Sequence, residues 1–283
     1  MTLQSFIPLG MDWNRYARLL GTRRRTDLAK EWVMNKSARL KRSLAATAIA
    51  ACTLYASAWR ADADFIQTNL VSDIPGLASI TDPMLVNPWG MSHTATSPIW
   101  TSNQGTNTAT LYGVTGNNGV AKVNVAPNGF VAIPPPGGPG PTGQVANTNT
   151  SSFAVGNGGD GQFAHFIFAN LNGTISAWDI GATALTQVTT PGAVYTGLAI
   201  NQAQTRLYAA NGAGSGSIDV FNSSFSPANL GPSAFATPPQ VPTGFVPFNV
   251  QNINGNVYVT YAPPGTYSPD NGHSRHGGGG GFR

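Results

Sequence analysis

The heptapeptide GTISAWD at residues 173–179 returns as GSIDVFN at residues 216–222, and the shared Ile175 and Ile218 lie forty-three positions apart. Each copy alternates apolar and polar residues after a tight Gly turn, the pattern of a half-buried strand. A second strand precedes each one: HFIFAN ends at Asn170 and RLYAAN at Asn211. Upstream of the latter, YTGLAINQAQ sets Gly197 eleven residues before Tyr208. VNPWGMSHTATSPIWTSNQG, residues 86–105, repeats this with Gly90 ten residues before Trp100, and Phe248 stands ten before Tyr258. The recurring unit is an apolar strand, a polar turn, an aromatic strand, a Gly turn and an outer strand. Several short strands in about 40 to 50 residues make a propeller blade. One small twisted sheet cannot bury both its faces, so it stacks against copies of itself.

The expected fold is therefore all-β, a β-propeller. Residues 64–262 supply roughly four blades at the usual repeat length, which reads as an incomplete ring of a larger, six-bladed propeller. Pro88, Trp89, Gly90, Trp100, Trp178, Gly197, Tyr208 and Tyr258 form the structural signature of the unit. Trp89, Trp100, Tyr195, Tyr208, Phe248 and Tyr258 are expected to fill the spaces between blades. AIPPPGGPGPTGQVANTNT, residues 132–150, interrupts the pattern: its Pro triplet fixes an extended course and the Gly-Pro alternation opposes helix and strand alike. It reads as a long loop on a propeller face.

Charge is unevenly distributed. Residues 1–63 hold eleven Lys/Arg against four Asp/Glu, whereas residues 64–283 hold four Lys/Arg against seven Asp, with no Glu. The leader is +7 and the remainder −3, so the basic balance of the whole chain gives no warrant for nucleic-acid binding. The leader itself carries a targeting pattern. From Met34 it runs through a basic region (Lys36, Arg39, Lys41, Arg42), an apolar stretch from Leu44 to Ala58 and small-x-small sites at residues 56–58 and 61–63. This reads as a helical secretory signal peptide over 34–63, preceded by an unstructured extension over 1–33, and implies a secreted, periplasmic or cell-surface protein. The apolar run is short for a transmembrane span. Ile49-Ala50-Ala51-Cys52 resembles a lipobox, so acylation of Cys52 is the alternative route to a membrane.

NLVSDIPGLASITDPMLVNPWGMS, GTISAWD, AVYTGLAI, GSIDVFN and VPTGFVPFNVQNINGNVYVTYA, taken together and in this order, resemble the TIGR03118 family of exported bacterial proteins of unassigned function, predicted to be β-propellers. The resemblance extends from about Phe65 to Ala262. It implies a propeller fold and export, and carries no activity, substrate or catalytic residues with it. Family members continue past VYVTYA into further blades, whereas this chain passes into PPGTYSPDNGHSRHGGGGGFR. Residues 263–283 therefore read as a disordered Gly/His-rich tail left by a shifted frame or early stop. His273 and His276 without a rigid frame make a weak metal site.

No GxSxG, HExxH or CxxC motif is present, and His93 and His165 are not metal-spaced. No catalytic residue and no cofactor is assigned. Asn103, Asn170 and Asn211 recur after the inner strands; they are the candidates for a divalent cation if they converge on an axis, and turn-capping residues otherwise. Asp160 lies in GNGGDG, one copy of a Gly/Asp turn and thus a loop. Three readings follow: a noncatalytic scaffold that binds a protein or a surface polysaccharide, a metal-dependent lactonase-like hydrolase, or a nonfunctional truncated fragment.

Overall fold

The structure, a computed structural model, describes residues 67–265 except 136, 137 and 232. The signal-peptide reading, Cys52, His273 and His276 fall outside the described residues. Those described contain no α-helix, and so none long and apolar enough to cross a membrane. A short parallel pair, β1 (Val71–Ser72) and β2 (Ile80–Thr81), comes first.

Four antiparallel sheets follow in chain order. The first is β3 (Pro88–Ser92), β4 (Ile99–Asn103), β5 (Thr108–Thr115) and β6 (Gly119–Val123), with β7 (Val131–Ala132) also paired to β5. The second is β8 (Pro141–Ala146), β9 (Phe166–Asn170), β10 (Thr174–Trp178) and β11 (Leu185–Thr189). The third is β12 (Tyr195–Ile200), β13 (Arg206–Asn211) and β14 (Ser217–Asn222), and the fourth is β15 (Val246–Ile253) with β16 (Asn256–Ala262). Each sheet is a meander whose first strand lies beside the first strand of the next, the arrangement of propeller blades.

Alternation along the strands sends side chains to the two neighbouring sheets in turn. Trp100, Ala109 and Leu111 of the first sheet meet Phe166, Phe168 and Trp178 of the second. Trp100 stacks on Phe166 at a centroid distance of 4.0 Å and reaches Trp178 at 4.8 Å. Ile167, Ala169, Ile175 and Ala177 face the opposite way, onto Tyr195, Leu198, Leu207 and Ala209 of the third sheet. Tyr208, Ala210 and Val220 pack on Val250 of the fourth. Trp100, Tyr195 and Tyr208 thus fill inter-blade space as expected. Tyr258 does not: it is 54% exposed on the outward face of the fourth sheet, which no described strand covers.

The inner strands approach one another backbone to backbone. A Cβ on Gly90 would strike Thr142 O and lie 2.9 Å from Gln144 N, and one on Gly143 would strike Leu198 N and lie 2.7 Å from Gly197 C. One on Gly197 would strike Asn249 Oδ1 and lie 2.9 Å from its Cα. These glycines recur at intervals of 53 and 54 residues and set the spacing of blades at the axis. The second of them corrects the expectation of a long loop over 132–150. Pro141–Ala146 is the inner strand of the second blade, with Pro141-Thr142-Gly143 the counterpart of Pro88-Trp89-Gly90, and residues 147–150 after it again lie outside strands.

Candidate functional site

Every inner strand carries a register shift at the same place. Pairing jumps from Pro88↔Asn103 to Gly90↔Ser102, and from Pro141↔Asn170 to Gln144↔Phe168. It jumps again from Tyr195↔Asn211 to Gly197↔Ala210, and from Pro247↔Tyr261 to Asn249↔Thr260. The residue left without a ladder partner is Trp89 in the first blade, Thr196 in the third and Phe248 in the fourth; in the second it is Thr142 with Gly143. A bulge breaks the alternation and turns its side chain out of the plane in which the rest of the strand packs. Proline stands just before the bulge in three of the four strands, opening β3 and β8 and second in β15, where its missing N–H and fixed φ are tolerated.

The bulges surround a cavity of about 340 Å³ lined by all four inner strands. Trp89 and Phe248, both half-buried, meet across it with centroids 6.0 Å apart and planes inclined at 44°. These two aromatics do not fill inter-blade space, as their spacing suggested; they form a pair at the axis. Thr196, Gln144, Asn249 and Gln251 add polar groups, and among the described residues none that lines the cavity is ionisable. Gln144 is fixed: its Oε1 accepts from Ser102 Oγ at 2.7 Å, and its Nε2 donates to Trp100 O at 2.7 Å and Ser92 Oγ at 2.9 Å. Thr142, buried behind the lining, donates to Tyr195 O at 2.7 Å and ties the second blade to the third. Asn249 Oδ1 accepts from the backbone N–H of Val250 at 2.8 Å, while its Nδ2 and the Gln251 amide have no protein partner among the described residues. The cavity thus presents two aromatic surfaces and two uncommitted amides, with no acid, base or charged group.

Asn103, Asn170 and Asn211 lie elsewhere. Asn103 donates through Nδ2 to Thr108 Oγ1 (3.1 Å) and Thr110 Oγ1 (2.9 Å). Asn170 donates to Thr174 Oγ1 (3.0 Å), and Asn211 to Asp219 Oδ2 (3.0 Å). Each amide holds the third strand of its own blade to the second, at the turn between them. Strand alternation places Asn170 and Asn211 on the side facing the preceding blade and Asn103 on the outward face of the first sheet. The fourth blade carries Tyr261 at the corresponding register position, opposite Pro247. Among the described residues no three His, Cys, Asp or Glu side chains cluster as metal ligands.

Two carboxylate clusters lie outside the cavity. Asp82, buried on the outward face of the first sheet, accepts from Lys122 Nζ at 2.8 Å and from the Tyr112 hydroxyl at 2.7 Å. Burial opposes its charge, but the Lys122 and Tyr112 bonds outweigh that and hold Asp82 below its ordinary 3.8. Burial and the neighbouring Asp82 push the Tyr112 phenol up. Asp179 is raised by burial and by the neighbouring Asp160 carboxylate. Its Oδ2 has no hydrogen-bond partner among the described residues.

The bulge positions were the signal that sequence reasoning missed. Trp89 and Phe248 both follow a proline at the start of an inner strand, one residue before the close-approach position.

No protein-family model matches the chain. It is 30% identical over 204 residues to an uncharacterized protein of Acanthamoeba polyphaga mimivirus, covering 68% of this chain and 48% of that protein. The chain therefore spans about half the length of this relative. Among solved structures it is similar to a catalytically inactive virginiamycin B lyase from Staphylococcus aureus, determined with quinupristin (16% identity, 64% of this chain and 51% of that chain, TM-score 0.40). It is also similar to a putative 6-phosphogluconolactonase from Bacteroides uniformis (12% identity, 72% and 47%, TM-score 0.35).

Proposed function

We propose that this protein is an exported, noncatalytic binding scaffold whose ligand enters the axial cavity. The observation that carries this reading is the lining itself: all four inner strands border one cavity, three of them turn the bulged Trp89, Thr196 and Phe248 into it, and together they offer aromatic, hydroxyl and amide groups without an ionisable side chain. A lactonase-like hydrolase needs carboxylates to hold a cation and to move protons. Export is supported by the basic, apolar and small-residue succession over 34–63 and by the resemblance to an exported family. The uncovered outward face of the fourth sheet supports reading the four blades as an arc of a larger ring.

The test is to incubate the purified protein with simple lactones and with oligosaccharides, with and without added Ca²⁺ or Zn²⁺, and follow product by mass spectrometry. The expected outcome is no turnover in either condition. Metal-dependent product formation would overturn the binding reading.

A further inference from the structure

We propose that the axial cavity holds one ring of a neutral, hydroxyl-rich ligand, a saccharide, with one face against the ring surfaces that Trp89 and Phe248 leave toward it and its hydroxyls on Asn249 and Gln251. This rests on reading the protein as a binding scaffold and names the ligand class of that same cavity.

Size is the first constraint. A cavity of about 340 Å³ lies at the small end of the roughly 300–1,000 Å³ typical of ligand sites, which suits one or two small rings of a longer chain. Charge is the second. An anionic or cationic ligand would enter without a counter-charge on any lining residue, and an unpaired charge removed from water is costly. A neutral ligand meets no such penalty.

Geometry is the third constraint. Trp89 and Phe248 are inclined at 44° with centroids 6.0 Å apart, so they do not cover each other and each leaves ring surface toward the cavity. The C–H face of a sugar ring packs on such surfaces by burial and weak C–H contacts. The remaining polar groups match hydroxyls. A carboxamide presents both donors and an acceptor, the complement of a pair of adjacent hydroxyls. Asn249 Nδ2 and the Gln251 amide are the lining groups that lack a protein partner among the described residues, whereas Gln144 is already bonded and serves as wall.

A nucleobase also stacks on aromatic rings, but nucleic acid requires cationic groups along its backbone path. The chain from residue 64 onward carries −3, and its described cations, Lys122 and Arg206, do not line the cavity.

The experiment titrates the full chain with cellohexaose, maltohexaose, N-acetylchitohexaose and the oligonucleotide dT6, following tryptophan emission and calorimetric heat. At least one neutral hexasaccharide is expected to saturate a spectral shift while dT6 does not. Trp89→Ala and Phe248→Ala should each weaken that binding by about tenfold or more. Asn249→Ala should weaken it by about threefold, and Ile180→Ser, exposed just after β10 and no part of the cavity lining, should leave it unchanged. Trp89→Phe should restore most of the affinity lost in Trp89→Ala, which separates loss of a stacking surface from loss of fold, and circular dichroism checks each variant.

Saccharide binding that survives Trp89→Ala and Phe248→Ala would overturn the assignment of the site and leave the scaffold reading standing. So would saturable binding of dT6 alone, and a folded protein that binds none of the three saccharides would overturn the ligand class. Cleavage of a hexasaccharide would instead overturn the noncatalytic reading, whatever the Trp89 result.

Discussion

The second and fourth blades share a pleated ladder, a bulged inner strand and a proline just before the bulge, yet they differ in what their surfaces carry. In the second, every residue of Phe166–Asn170 and of Thr174–Trp178 is buried. In the fourth, Asn256–Ala262 never reaches full burial and alternates exposed with half-buried positions. The second blade is covered on both sides and the fourth on one. Burial on both faces gives a nearly continuous apolar run, and a free face gives alternation. A blade's sequence therefore reports its neighbours as much as its own conformation. The same contrast holds at the axis. Glycine occupies the close-approach position in three blades, each with another inner strand against it, and Asn249 occupies it in the fourth, where none of the described strands follows.

The strongest way to break this comparison is Gly143→Val. Backbone atoms of Gly197 and Leu198 occupy the space of the new side chain and cannot yield as a flexible side chain would, so a loss of more than about 4 kcal/mol, or failure to fold, is expected in urea denaturation. The matched change Asn249→Ala should leave stability nearly untouched; equal losses at the two positions would mean that the seam is not what spaces the blades. Next, Trp100→Ala removes the ring between the first two blades and should cost about 3–5 kcal/mol.

The first sheet's outward face sharpens the contrast, because Asp82, directly after β2, ties the segment before the first sheet to Tyr112 and Lys122 on it. Asp82→Asn should cost about 1–3 kcal/mol at pH 7, measured by chemical denaturation. Because the folded state holds Asp82 below 3.8, its contribution is complete above that value and is lost as pH falls through the lower folded value. The difference between wild type and variant should therefore vanish in strong acid. Asp179 has the opposite sign: its raised value makes its ionisation unfavourable at neutral pH, so Asp179→Asn should raise Tm at pH 7 and change it little in acid. The smallest effect belongs to the free face. Tyr258→Ser should alter stability by no more than about 0.5 kcal/mol, and hydrogen exchange should be fastest in Asn256–Ala262 and slowest in Phe166–Asn170.

Much of the blade pattern was legible because period-2 alternation and Gly turns are local. Ile175 and Ile218, with Asn170 and Asn211 before them, sit at corresponding places in the second and third blades, and Trp100, Tyr195 and Tyr208 pack where their spacing put them. The inner strand of the second blade was hidden because Gly-Pro alternation immediately before Pro141 masks the start of a strand. The cavity was not legible at all. It depends on how far successive sheets rotate, which is fixed by backbone approach at Gly90, Gly143 and Gly197 rather than by the side chains of Trp89, Phe248, Asn249 or Gln251. Trp89 and Phe248 looked like packing residues because nothing in their spacing distinguishes a side chain between blades from one turned out by a bulge. Asn103, Asn170 and Asn211 were regular enough to suggest a site, and their regularity comes from repeating the same turn.

The bulges also have a consequence for how such a protein diversifies. Because blade spacing is held by glycine against main chain, the neighbouring unladdered position can carry Trp in the first inner strand, Thr in the third and Phe in the fourth without disturbing the architecture, and only in the second does its side chain, Thr142, also tie one sheet to the next. Recognition can thus drift one inner strand at a time while the frame is inherited intact, and a lineage can try new ligands without first relearning how to fold.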